Sequence, residues 1–328
     1  MALKVDGQNN SYEVALAQKL QLQLTQPMSD IQTKLTNRDF EGDFFKIGDT
    51  VSIVKPDINS IEVKVGDVVT DARLELVPDI DFQEKTTLKI DKSSRYAFFV
   101  SDVNKAEGKW NYESLGLAGA GHQIRRKKNV ELCNLIVNDA TITRIGGGTP
   151  AAPIDCKSVD DLYSKVLLPM YLHLYNTGAI AADGSIPMGS NPVEGKASTA
   201  GVFMPTQGIA MLLQSKYLTD RSTTMADQKV ETANVGKVLG MDIAIEPALS
   251  QDSKEKITVS GLAENAFVVI AGTSNTVTEA SKVLPPERFR SHTRFGDEFH
   301  GLEVYGRKVV EKDAACVAFV KFTPPAQA

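Results

Sequence analysis

The chain has 328 residues, 42% of them apolar, which is enough for one large domain or two of ordinary size with dense cores. Its 36 basic and 41 acidic residues give a net charge of -5, which excludes a protein that grips nucleic acid through a strongly basic face but not one that lines a space holding it. Cys133, Cys156 and Cys316 are widely spaced and form no Cys-x-x-Cys pair, so buried thiols in a reducing compartment are expected, with no disulfide framework.

The first twenty residues, MALKVDGQNNSYEVALAQKL, lack the apolar core of a signal peptide, and no run of about 18 apolar residues occurs. A soluble chain without a membrane partner is expected. Residues 11–24, SYEVALAQKLQLQL, place Val14, Leu16, Leu20, Leu22 and Leu24 on an amphipathic stretch that begins helical and drifts to period two. This is the pattern of an arm that needs a surface. Val51 and Ile53 then alternate with Thr50 and Ser52, and Ile61, Val63 and Val65 alternate with Glu62 and Lys64, as in half-buried strands. Lys55 to Ser60 between them has turn chemistry. Thr86 to Ile90 alternates in the same way, and RYAFFV at 95–100 reads as a further strand. An isolated hairpin has no core of its own, so its apolar side chains require a partner surface, each burial being worth about 1.5 to 3 kcal/mol. Leu20, Leu22, Phe44, Phe45, Val51, Ile53, Ile61, Val63 and Val65 are therefore candidate contacts with another subunit.

From Asp102 to about Asn138 the spacing of Leu117, Ile124, Leu132, Leu135 and Ile136 predicts one long helix, with Ser101 or Asp102 as N-cap. Gly116, Gly119 and Gly121 within it suggest close approach by another backbone. Arg125, Arg126, Lys127 and Lys128 are consecutive and cannot share one face; a solvated surface is the default, with acidic groups of a neighbouring chain or packaged nucleic acid as the sharper alternative. The tract IGGGTPAAP at 145–153 reads as a linker and domain boundary, with Gly146, Gly147 and Gly148 as a candidate hinge. Ser158 and Asp161 form a capping box for a helix bearing Leu162, Val166 and Met170, which Pro169 should kink. After a loop at 183–196, STAGVFM predicts a strand, PTQGIAMLLQSKYL a helix, MDIAIEP and AFVVIAG strands, and TEASKV a helix. HGLEVYGRKVV and ACVAFVKF close the chain as strands, so the fold class is α+β.

Chemistry finds little purchase. The loop GSNPVEGKAS at 189–198 sets Gly195 before Lys196, as a phosphate loop does, but has Ser190 where that motif needs glycine and Ala197 where it needs a hydroxyl. His122, His173, His292 and His300 show no metal-ligand spacing, and Asp160-Asp161 sits at a helix start where the dipole accounts for it. No catalytic, cofactor or metal residue is expected.

Four motifs in order, NRDFEGDFFKIGDTVSIVKP, LKIDKSSRYAFFVSDVNKAE, GVFMPTQGIAMLL and RFGDEFHGLEVYGRKVV, resemble the major capsid proteins of tailed bacteriophages, which share the Hong Kong 97-type fold. The resemblance implies an N-terminal arm at 1–38, an extended hairpin loop at 39–92, a peripheral domain at 93–149 and 286–328 with a spine helix, and a mixed α/β axial domain at 150–285. It implies a structural protein of an icosahedral virion, assembled in the bacterial cytoplasm, whose partners are its own copies in hexamers and pentamers, a portal and double-stranded DNA held without sequence specificity. Because the sequence starts directly with the arm, a separate scaffolding protein is expected; a decoration protein and a lysine-asparagine cross-link through Lys55 or Lys64 are open. The alternatives are an encapsulin-like compartment around protein cargo and a nucleotide-using enzyme built on the Lys196 loop.

Overall fold

The computed structural model describes residues 31–38, 49–56, 83–103, 112–186, 199–213, 236–250, 253 and 255–323. Among them, two sheets are tied together by one long helix. The first sheet is centred on β13 (Gly296–Val309), a strand of 14 residues. One edge of β13 carries β11 (Val277–Val283) and β12 (Glu287–Arg290) end to end, and the other carries β4 (Lys92–Ser101), all antiparallel. β1 (Thr36–Asn37) adds in parallel beyond β11. Glu, Ala, Ser and Lys at 279–282 favour a helix in isolation, so a helix was the expectation for TEASKV. Pairing along seven positions of β13 and the burial of Val277, Thr278, Glu279 and Ala280 override that preference.

The second sheet has seven strands. Its centre is β14 (Ala315–Phe322) hydrogen-bonded to β10 (Phe267–Gly272), followed by β7 (Gly201–Met204), β9 (Met241–Ile245) and β8 (Lys237–Val238). β5 (Thr143–Arg144) and β6 (Ile154–Cys156) both pair in parallel with the free edge of β14. β14 is a continuous apolar run because it is covered on both faces. Cys316, Ala318 and Val320 point into one core, and Ala315, Val317 and Phe319 into the other.

This pairing corrects the expected boundaries. Residues 315–322, assigned to the peripheral domain, lie in the middle of the second sheet, while residues 277–283, assigned to the axial domain, lie in the first. It also corrects the hinge. The strands flanking Gly146–Gly148 are both hydrogen-bonded to β14, and Ile145 N donates to Val317 O at 2.8 Å, so rotation across the tract would tear one sheet. Gly146 is needed for a turn at φ +74, and a Cβ there would meet Lys165 O at 2.9 Å; the tract is a packed corner.

The helix α2 (Tyr112–Asn138) of 27 residues, about 40 Å long, lies across both sheets. Leu117 and Ile124 pack near Tyr96 and Val283 of the first sheet, and Leu132, Cys133, Ile136 and Val137 pack against the second. The helix is unbroken through its glycines. The close approach at Gly116 is by the Phe98 ring, 2.5 Å from where a Cβ would stand, and not by a backbone; Gly119 faces open space. All three cysteines are buried free thiols.

On the far side of the second sheet, Ser158 Oγ accepts from Asp161 N at 3.2 Å and caps α3 (Val159–Leu162). A π-helical turn at Tyr163–Leu167 then leads into α4 (Leu168–Asn176). Pro169 has no N–H to offer Lys165 O, and the wider π turn ahead of it is how the chain passes that point without breaking the apolar face of Leu162, Val166 and Met170.

β2 (Thr50–Pro56) pairs antiparallel with β3 (Gln83–Lys89), and Pro56 stands opposite Gln83, while residues 61–65, the expected partner, lie outside the described residues. Val51, Ile53, Leu88 and Ile90 pack against Ala280 and Val304 of the first sheet. Gly306 permits this, since a Cβ there would meet Lys89 O at 2.4 Å. Val51 and Ile53 are thus buried within their own chain and are not free to contact another subunit. The end of the expected arm is likewise internal. Ile31 and Leu35 of α1 (Ile31–Leu35) are fully buried in the core shared by α2 and the second sheet.

Candidate functional site

The charged side chains of α2 and β13 meet in a buried joint. Successive residues of β13 face opposite sides, so Glu303, Tyr305 and Arg307 turn toward α2 while Leu302 and Val304 face the β2–β3 pair. Lys128 Nζ donates to Glu279 Oε1 at 2.6 Å and to Glu303 Oε1 at 2.7 Å. Arg307 Nε donates to Glu279 Oε2 at 2.6 Å, and its Nη1 donates to Lys128 O at 2.6 Å. One turn further on, Glu131 accepts from Lys92 and from the Tyr305 hydroxyl. Burial pushes the Glu279 carboxyl up, but Arg307, Lys128 and Arg38 outweigh it and hold the group at about 2. Burial, then the Glu131 carboxylate, pushes the Tyr305 hydroxyl upward. This joint fixes the angle between helix and first sheet with buried, directional bonds between charged groups.

At the end of the first sheet an apolar rim faces solvent. Phe295 is 86% exposed, and Val103, Phe289 and Phe99 are exposed with it. Asp102 N donates to Phe295 O at 3.2 Å, and the Arg294 guanidinium lies over the Phe99 ring at 5.9 Å, so three of these belong to one corner. Arg290 is paired there with Asp102, and Arg288 with Asp297. A second exposed set, Tyr163, Leu172 and Tyr175, lies on the α3–α4 segment. A groove of about 700 Å³ between β4 and α2 is lined in part by Tyr96, Phe98, Gly116 and Gly119. Among the described residues no group of three or more metal-ligating side chains occurs, and no helix is long and apolar enough to cross a membrane.

Of the basic run, the structure separates two inward residues from two outward ones, as consecutive positions on a helix must be. Arg125 and Lys128 are buried, Lys127 is exposed and Arg126 is half-buried 3.9 Å from Glu255, so the solvated-surface expectation fails for the first pair. Leu20, Leu22, Phe44, Phe45, Ile61, Val63, Val65 and the Lys196 loop lie outside the described residues. Glu279, Glu303 and Arg307 were not singled out from sequence, although Glu303 and Arg307 share the parity of one strand face. A buried ion pair on that face was the available signal.

No protein-family model matches the sequence, and no curated protein does. Solved structures do. A structure of Mycobacterium phage Che8 is 18% identical over 91% of this chain and 93% of its own, with a TM-score of 0.57. The capsid of Ralstonia phage GP4 is 9% identical over 87% of each chain, with a TM-score of 0.54. This chain has the Hong Kong 97-type capsid fold. The same capsid fold is similar to that of a virus-like particle from Pyrococcus furiosus, at 13% identity over 94% of this chain and 99% of that one, with a TM-score of 0.51. Coverage of both partners near nine-tenths makes the likeness one of whole subunits.

Proposed function

We propose that this protein is a structural shell subunit, the major capsid protein of a tailed phage, which assembles with its own copies into the icosahedral head around double-stranded DNA. The observation that supports it is the match of the whole chain to phage capsid structures, 91% of this chain against 93% of the Che8 chain. The exposed corner at Phe295 and the exposed face of Tyr163, Leu172 and Tyr175 are surfaces of the kind that contacts between copies use. Repeating a modest contact around a closed shell makes the assembly strong. On this reading hexamers and pentamers, a scaffolding protein, a portal and an optional decoration protein are the partners, the virion is the destination and the bacterial cytoplasm the place of assembly. Residues 57–82 serve as the clamp that reaches a neighbour, and the enclosed DNA is held without sequence readout, consistent with a net charge of -5.

The second reading, a compartment around protein cargo, is favoured by the likeness to the Pyrococcus furiosus particle. Electron microscopy of particles purified from host cells, with their absorbance ratio for nucleic acid and a gel of their contents, separates the two. Shells filled with protein and free of DNA would overturn the first reading, and a stable monomer near 35.6 kDa under all salt conditions would overturn both.

A further inference from the structure

Arg125 is only 6% exposed, its Nε is buried without a hydrogen-bond partner, and among the described residues no side chain or carboxylate pairs with its guanidinium. Its surroundings compound the deficit. Gln32 Nε2 is directed to Asn129 Oδ1 at 2.6 Å and to the backbone oxygen of Arg125 at 3.5 Å, leaving the guanidinium aside. Burial and the nearby Arg38 both weigh against its positive charge. One turn along the same helix, Lys128 is buried to a similar depth and has two carboxylates. A buried cation without an anion is costly, and proteins ordinarily pair such a group or avoid it.

Its depth selects among anions. A duplex phosphate is fixed to a wide, stiff backbone and stays at the surface, whereas a carboxylate on a flexible side chain can extend beyond its own backbone. Each copy of this chain also carries more acidic than basic groups, 41 against 36. We propose that Arg125, whose charge no described residue compensates, receives a carboxylate from a second copy of this chain when the copies assemble. The inference rests on the shell reading above.

The two states give opposite signs for one substitution. Full-length Arg125→Met and Arg125→Lys subunits are compared with the parent in urea unfolding below the assembly threshold, and in the concentration at which light scattering reports particles. Expected for Arg125→Met is an unchanged or higher unfolding midpoint together with an assembly threshold raised at least about tenfold, with Arg125→Lys between it and the parent. The dependence of the threshold on sodium chloride should flatten in Arg125→Met. A lower unfolding midpoint for the free Arg125→Met subunit would place the anion inside the chain and overturn the proposal. So would an unchanged threshold, a defect seen only when DNA is present, or stabilisation of the free parent alone by inorganic phosphate at matched ionic strength. Failure of the parent to form particles would overturn the shell reading and this inference together, whereas normal parental assembly with an indifferent variant overturns the inference alone.

Discussion

Replacing Lys128 by methionine removes the one cation that serves both Glu279 and Glu303. Glu279 keeps Arg307 at 2.6 Å, so the loss falls on Glu303, which is left buried without its cation. Breaking one side of a buried pair costs about 3 to 5 kcal/mol. With an unfolding entropy of about 2.1 cal/mol/K per residue, 328 residues give about 0.7 kcal/mol/K, so the melting midpoint of the free subunit should fall by roughly 4 to 7 °C. Because the penalty belongs to the orphaned carboxylate and not to missing attraction, Lys128→Met with Glu303→Leu should recover most of that loss. Differential scanning calorimetry of parent, single and double variants tests this. A single variant within 1 °C of the parent, or a double variant less stable than the single, would show that the joint does not hold helix to sheet by its charges.

Acid should loosen the same joint. Glu279 is held at about 2 against an ordinary 4.5, and a carboxyl whose folded value is depressed adds stability that is complete above 4.5 and lost as pH falls toward 2. Urea midpoints of the parent should drop over that window by the equivalent of about 3 kcal/mol, and Glu279→Gln should flatten the slope; a parallel slope in both refutes it. Gly306→Val should push the β2–β3 pair off the first sheet, because the space belongs to Lys89 O, and limited proteolysis should then cut near residues 50–56 and 83–89 faster than in the parent. Deleting residues 57–82 and joining Pro56 to Gln83 through Asn-Gly should leave the subunit's circular dichroism unchanged, because those two residues are already opposite, while shell yield and heat resistance fall. Particles as abundant and as robust as the parent's would end the clamp reading. Gly147→Ala, at φ +71 with open space around it, should cost about 1 kcal/mol, and Gly146→Ala more, since it also meets Lys165 O; equal unfolding midpoints would contradict the packed corner.

The strands that the sequence made legible are those whose pattern is local. Val51 and Ile53, residues 95–100, 266–272 and 315–322 announce themselves by alternation or by an unbroken apolar run, and each is a strand. The partner of β2 was not legible, because nearness in sequence favoured residues 61–65 over the more distant 83–89. Residues 279–282 misled because three good helix formers, Glu279, Ala280 and Lys282, sit where a neighbouring strand decides the matter. The charged joint was hidden for the same reason: Lys128 is 151 residues from Glu279 and 175 from Glu303. What could have been seen is that Arg125 and Lys128, three apart, share a face with Ile124 and Leu132 and so must go inward with them.

The place of β14 in the second sheet has a consequence for the order of events in the cell. Its neighbours β5, β6 and β10 come earlier in the chain, and residues 315–322 lie between them in the sheet. A chain without residues 315–322 therefore leaves the second core open, since Ala315 to Val320 fill both of its faces. Stalled chains ending before Ala315 should stay protease-sensitive from β5 through β10. The strand that joins β5, β6 and β10 thereby decides when the second sheet closes.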